Sequence, residues 1–190
     1  MKRREHLMAQ LFSGKGDDGS TGLLGEERVS KADLLIEVIG SLDEVNAFLG
    51  NAKSLLSDKP LQELLEEIQR DLYHLMAELA NTHEARLKVP VLDESRVSFL
   101  EQNLAEISQQ TTMPAGFILP GETREAAAFG LCRVIARRAE RRMVELNGQQ
   151  PLKNPAILRY LNRLSSLLFL LEVVFSRKGK LKKFKYAREL

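Results

Sequence analysis

Asn154-Pro-Ala-Ile-Leu-Arg-Tyr-Leu-Asn-Arg-Leu-Ser-Ser-Leu-Leu-Phe-Leu-Leu-Glu-Val-Val-Phe175 is the stretch that decides the fold class. Ile157, Leu161, Leu164, Leu168, Leu171 and Phe175 recur at gaps of three and four, which gathers them on one stripe of a helix and on no single face of a strand. Asn154-Pro155 suits a helix start and Gly179 a stop. A stripe that long must be covered by other helices.

The rest of the chain supplies them. Ser30 offers an N-cap for a first helix with Leu35, Val38, Ile39, Leu42, Val45, Leu49, Ala52 and Leu56 on one side. Pro60 opens a second, carrying Leu61, Leu64, Leu65, Ile68, Leu72, Leu75, Met76 and Leu79. Asp93 caps a shorter third with Val97, Leu100, Leu104 and Ile107, and a fourth spans about 122–146 before Asn147-Gly148. Nothing between them alternates with a period of two, so no sheet is expected. The fold class is all-α, an up-and-down five-helix bundle. One domain over 1–190 is expected: a glycine-rich arm (1–29), the bundle (30–176) and a basic tail (177–190), with long connections near 84–92 and 108–121.

Composition narrows the function. The chain has 190 residues, 44% of them hydrophobic, and a net charge of +2, too even for a protein whose main partner is nucleic acid. No apolar run reaches the roughly 18 residues of a membrane span, and the start is too short for a secretory segment. The single Cys132 suits a reducing compartment and a small core position. A cytoplasmic protein is expected. His6, His74 and His83 are scattered, so no zinc set forms, and Asp71-Leu-Tyr-His74 is the nearest approach to a di-iron motif.

Three segments carry possible chemistry. Arg133-Val-Ile-Ala-Arg-Arg-Ala-Glu-Arg-Arg142 holds five arginines and one glutamate. At 100° per residue, Arg133, Arg137, Glu140 and Arg141 share one arc of about 100°, with Arg138 and Arg142 pointing elsewhere. Three guanidiniums around one carboxylate leave a surplus suited to phosphate, and the bland alternative is a solvated face of ion pairs. Ser13-Gly-Lys-Gly-Asp-Asp-Gly-Ser-Thr-Gly22 can turn backbone N–H groups onto an anion, with Lys15 and Lys31 adding charge, although it lacks the P-loop pattern. Tyr160-Leu-Asn-Arg-Leu-Ser-Ser166 places Asn162 mid-helix, where a buried amide needs a partner.

In order along about 13–175, these segments resemble the PduO-type ATP:cob(I)alamin adenosyltransferase family. Lys15-Gly-Asp-Asp-Gly-Ser-Thr21 and Glu26-Glu-Arg-Val-Ser-Lys31 are similar to its opening loop, and Ile39-Gly-Ser-Leu-Asp-Glu-Val-Asn46 to its next motif. Phe117-Ile-Leu-Pro-Gly121, Cys132 through Arg141 and Tyr160 through Ser166 complete the resemblance. It departs at Gly14, where the family's loop has arginine or lysine, at Glu122 for a second glycine, at Gly130 for a histidine, and at Ser166 for an aspartate.

The resemblance implies a ferritin-like homotrimer with sites between subunits. It implies that ATP is held by Ser13, Gly14, Lys15, Gly16, Thr21 and Lys31 and, from the neighbouring chain, by Arg137, Arg138, Glu140, Arg141 and Asn162. Asp43 and Arg133 would pair across the interface on the corrinoid side, with Phe117 beneath the corrin keeping the lower ligand off cobalt. The implied reaction is attack of Co(I) in reduced cobalamin on the 5′ carbon of ATP. Arg137, Arg141 and Phe117 are its expected catalytic residues, and Mg2+ rides on the phosphates. A reductase and an adenosylcobalamin-dependent enzyme are implied as partners. A non-catalytic ATP- or cobalamin-binding relative and a ligand-free helical interaction module are the other readings.

Overall fold

In the computed structural model, which describes residues 14–81, 88–178 and 184–187, five helices follow a short hairpin. Strands β1 (Ser20–Gly22) and β2 (Arg28–Ser30) pair antiparallel, Thr21 opposite Val29. The helices are α1 (Leu34–Ser54), α2 (Lys59–Ala80), α3 (Glu94–Gln109), α4 (Arg124–Gln149) and α5 (Ala156–Lys178).

The helix starts follow from short polar side chains. Asp58, Asp93 and Thr123 accept from the backbone of Leu61, Ser95 and Ala126, so each satisfies a donor that the first turn leaves over. Asn154 Oδ1 does the same for Ala156 at 3.1 Å. Two boundaries differ from the sequence reading. Ser30 is paired with Ser20 in the hairpin, and the cap of α1 is Asp33, which accepts from Leu35 at 2.8 Å. Nor does Asn147-Gly148 stop α4: the helix runs to Gln149, and Asn147 Oδ1 instead accepts from Leu152 in the following turn.

The hairpin corrects the expectation that no sheet forms. Strands of three residues are too short to show alternation, and side chains hold this one together. Arg28 donates to Ser20 Oγ from Nε at 3.0 Å and to the Lys15 carbonyl at 2.5 Å. Leu24 N–H, bonded to the Ala80 carbonyl at 2.9 Å, ties the hairpin to the end of α2.

One apolar core runs through the bundle, from Val38, Leu42 and Leu49 on α1 through Leu65, Ile68 and Leu72 on α2 to Leu161, Leu164 and Leu168 on α5. Helix α4 packs against α1 and α5, and α3 against α5. A buried polar knot joins three helices: Tyr160 hydroxyl donates to Asp71 Oδ2 at 2.8 Å while Arg96 Nε donates to Asp71 Oδ1 at 2.7 Å. Cys132 is buried, as its apolar neighbours suggest, and burial pushes its thiol up to about 12. On the same helix Phe129 and Met143 lie in the core, and Val134 is on the surface.

Candidate functional site

Helix α4 sorts its arginines by partner. Arg133 Nε donates to the buried Glu172 at 2.7 Å. Arg138 pairs with Glu44 of α1, and Arg142 with Glu145 at 2.9 Å and Glu37 at 3.6 Å. Of the five arginines between Arg133 and Arg142, that leaves Arg137 and Arg141. Among the described residues neither has a carboxylate; Arg141 donates only to the Arg137 carbonyl, at 3.2 Å. Exposed guanidiniums one helical turn apart, neither of them ion-paired among the described residues, can hold an anion.

The neighbouring α5 side chains complete that face. Asn162, expected to be buried, is exposed: Leu161 and Leu164 turn inward on either side of it. Its amide donates to Glu140 Oε1 at 2.9 Å, which fixes the one carboxylate of the arc beside the two spare arginines. Arg137 also lines a cleft of ≈ 480 Å³ with Arg133, Met113, Ser165, Ser166 and Phe169. Arg138, which the resemblance gives to the nucleotide, is not with them; its guanidinium faces α1. A larger cleft, ≈ 900 Å³, lies between the hairpin and the ends of α2 and α4 and is lined by no arginine.

The glycine-rich segment is a built turn and not an unstructured arm. Gly14 and Gly19 have φ of 70° and 81°, which favours glycine there. Lys31 Nζ donates to the Gly16 carbonyl at 2.7 Å, so this ammonium shapes the turn that would face an anion. Gly16 is packed tightly: a Cβ would meet Lys31 Nζ at 3.1 Å and Ser20 O at 3.3 Å. Asp18 accepts from the Ser20 N–H and hydroxyl, which holds its carboxyl below the usual range. Sequence reasoning passed over Arg28 as the organiser of this turn. Ser13 lies outside the described residues. Arg137 and Arg141 make no hydrogen bond or ion pair with any described group of this segment.

The loop between α3 and α4 presents Phe117, 90% exposed, with Met113 and Leu119 also exposed. So open a phenyl ring contributes little to folding and is available to a flat apolar ligand. Its backbone is held from an unexpected quarter. Residues 184–187 of the tail lie beside it: Leu119 N–H bonds to the Lys185 carbonyl and Ala187 N–H to the Phe117 carbonyl, both at 2.8 Å. Lys185 Nζ also meets Glu122 at 3.1 Å, so the departure at Glu122 has a partner in the tail. Residues 184–187 are thus more than a solvated end.

Asp43 is exposed on α1 and has no cation partner among the described residues. Within the protomer, therefore, Arg133 is held by Glu172 and Asp43 is left over.

A family model described as cobalamin adenosyltransferase matches residues 11–175. A cobalamin adenosyltransferase of Cupriavidus metallidurans is 40% identical over 176 residues, covering 90% of this chain and 91% of that protein. The corrinoid adenosyltransferase of Bacillus subtilis is 38% identical, covering 90% and 89%. The PduO corrinoid adenosyltransferase of Salmonella typhimurium is 36% identical over 85% of this chain, which spans 48% of its length. Among solved structures, a variant of the Lactobacillus reuteri PduO-type ATP:corrinoid adenosyltransferase complexed with cobalamin and ATP superposes with a TM-score of 0.84 at 29% identity, covering 94% of this chain and 99% of that one.

Proposed function

The chain belongs to the cobalamin adenosyltransferase family, and from that premise we propose how its own residues carry the reaction. The protein transfers the 5′-deoxyadenosyl group of ATP to Co(I) of a reduced corrinoid. The cobalt electron pair forms the Co–C bond, the C5′–O bond breaks, and triphosphate leaves with that bond's electrons. Co(I) is a strong nucleophile, so the reaction requires no general base. The protein's work is to position the two substrates and to stabilise the leaving group.

One observation carries the assignment: of the five arginines clustered between Arg133 and Arg142 on α4, only Arg137 and Arg141 lack a carboxylate among the described residues. They are proposed to hold the triphosphate, with Glu140 and Asn162 framing the nucleotide beside them. Gly14, Lys15, Gly16, Thr21 and Lys31 would close on the phosphates from a second protomer. Exposed Leu131, Val134 and Val144 on α4, together with the unpartnered Asp43, support a homotrimer in which that closure is made. Phe117 would lie against the corrin, on the side where a lower ligand would otherwise sit.

The cationic groups suit phosphate. Among the described residues no three His, Cys, Asp or Glu side chains cluster, and the groups proposed to face the phosphates are guanidinium, ammonium and backbone N–H, with the single carboxylate of Glu140 held by Asn162. Mg2+ would be carried by the phosphate oxygens, whose charge it offsets. No described helix is long and apolar enough to cross a membrane, and a cytoplasmic setting, with a reductase and an adenosylcobalamin-dependent enzyme as partners, remains part of the proposal.

Purified protein given ATP, Mg2+ and chemically reduced cobalamin tests the reading. Formation of a light-sensitive Co–C product supports it; tight binding of both substrates with no such product would instead make the chain a carrier.

A further inference from the structure

Glu172 has no part in the reaction as described. It sits on α5 at 1% exposure, and its carboxylate has a single polar partner among the described residues, Arg133 Nε at 2.7 Å. Helix α4 makes room for it at Gly130, where a Cβ would stand 3.0 Å from Glu172 Oε1. The Phe169 ring lies 5.8 Å from the Arg133 guanidinium carbon. Arg133 lines the cleft it shares with Arg137, Ser166 and Met113, and its terminal amino groups make no hydrogen bond among the described residues.

We propose that Glu172 is a positioning residue for adenosyl transfer: it fixes Arg133 through Nε and leaves both terminal amino groups for an oxygen acceptor at the cleft, on the bound corrinoid or on the neighbouring protomer. This rests on the assignment of Arg133 to the corrinoid side. The planar guanidinium can serve one acceptor at Nε and others at its ends, which an ammonium cannot do. Holding a long side chain before the ligand arrives removes an ordering cost from binding. As a mere tie between α4 and α5 the pair would be a poor choice, because well-packed apolar residues do that at least as well as a buried ion pair. Gly130 belongs to the same device, since any larger residue there would crowd the carboxylate.

Glu172→Gln tests this, since it keeps the size and an acceptor and removes the buried carboxylate, while the Arg133 side chain, 28% exposed, still reaches water. Steady-state constants for each substrate are measured beside the Kd for cob(II)alamin with ATP present and the melting temperature. The corrinoid KM and Kd should rise by on the order of ten- to a hundredfold, with the ATP KM unchanged. The double variant Arg133→Gln/Glu172→Gln, which buries no charge, should show the same rise. If Glu172→Gln lowers the melting temperature alone while the double variant weakens corrinoid binding, Glu172 is a structural tie and the proposal fails. If the double variant also leaves both corrinoid constants at their wild-type values, the corrinoid assignment of Arg133 falls with it.

Discussion

Replacing Arg137 or Arg141 by alanine probes the leaving-group argument directly. Neither guanidinium has an internal carboxylate among the described residues, so the folded chain loses no ion pair. Stability should shift by no more than about 0.5 kcal/mol, or about 1–2 °C in Tm. Catalysis is another matter. Breaking the C5′–O bond adds about one unit of charge to the triphosphate. A guanidinium about 5 Å away, at an effective dielectric constant of about 20, then contributes about 3 kcal/mol, the size of effect seen when a single oxyanion donor is removed. Each variant should therefore lose about a hundredfold in kcat. Arg142, already paired with Glu145 and Glu37, is the control, and its alanine variant should turn over normally. Single-turnover formation of the light-sensitive product, at saturating ATP and reduced cobalamin, reads the chemical step. The reasoning is refuted if Arg137→Ala and Arg141→Ala raise the ATP KM but hold kcat within about threefold, since such residues bind substrate and transition state alike.

Three further outcomes follow from the packing. Burial, reinforced by Asp71, raises the Tyr160 phenol well above its ordinary 10.0, so its contribution is fully present below pH 10 and fades as pH climbs beyond, where only the unfolded chain ionises. Tyr160→Phe should cost about 1 kcal/mol at neutral pH, and urea titrations at rising alkaline pH should show the gap to wild type narrowing; a constant gap contradicts this. Cys132, pushed up to about 12 by burial, should react with a thiol reagent at mildly alkaline pH only after denaturation, and equal labelling of native and unfolded chains would count against it. Ala187→Pro deletes the N–H bonded to the Phe117 carbonyl, so the corrinoid KM should rise about three- to tenfold with the ATP KM steady; no change would show that the tail does not set the Phe117 loop.

The bundle was legible because its determinants are local. A stripe at gaps of three and four, Pro60 in a first turn and Asp93 as a cap are all written within a few residues. What escaped depends on distant partners. The hairpin rests on Arg28 reaching Lys15 and Ser20, and nothing in Arg28-Val-Ser30 announces that. Asn162 was misplaced because its neighbours are apolar, yet it occupies the outward angle between them. Arg137 and Arg141 could be picked out as surplus cations on one arc, whereas the partner of Arg133 could not, being 39 residues away on another helix. A signal was present: a glutamate inside Leu171-Glu-Val-Val-Phe175, where an ionisable side chain needs a cation, and a glycine on the facing helix to admit it.

The proposal that a second protomer supplies the glycine-rich turn leads to the last prediction. If the hairpin turn of one chain meets the arginines of the next around a closed trimer, every site has two donors and each chain serves two sites. Lys31→Ala, which frees the Gly16 turn, disables the first half; Arg137→Ala disables the second. Each variant alone should be nearly inactive. Mixed in equal amounts, unfolded and refolded together, they place an intact turn against an intact arginine at about one site in four. The mixture should recover about a quarter of wild-type activity, and crosslinking each homotrimer before mixing should abolish the recovery. A mixture no more active than its parents would show that both halves come from the same chain.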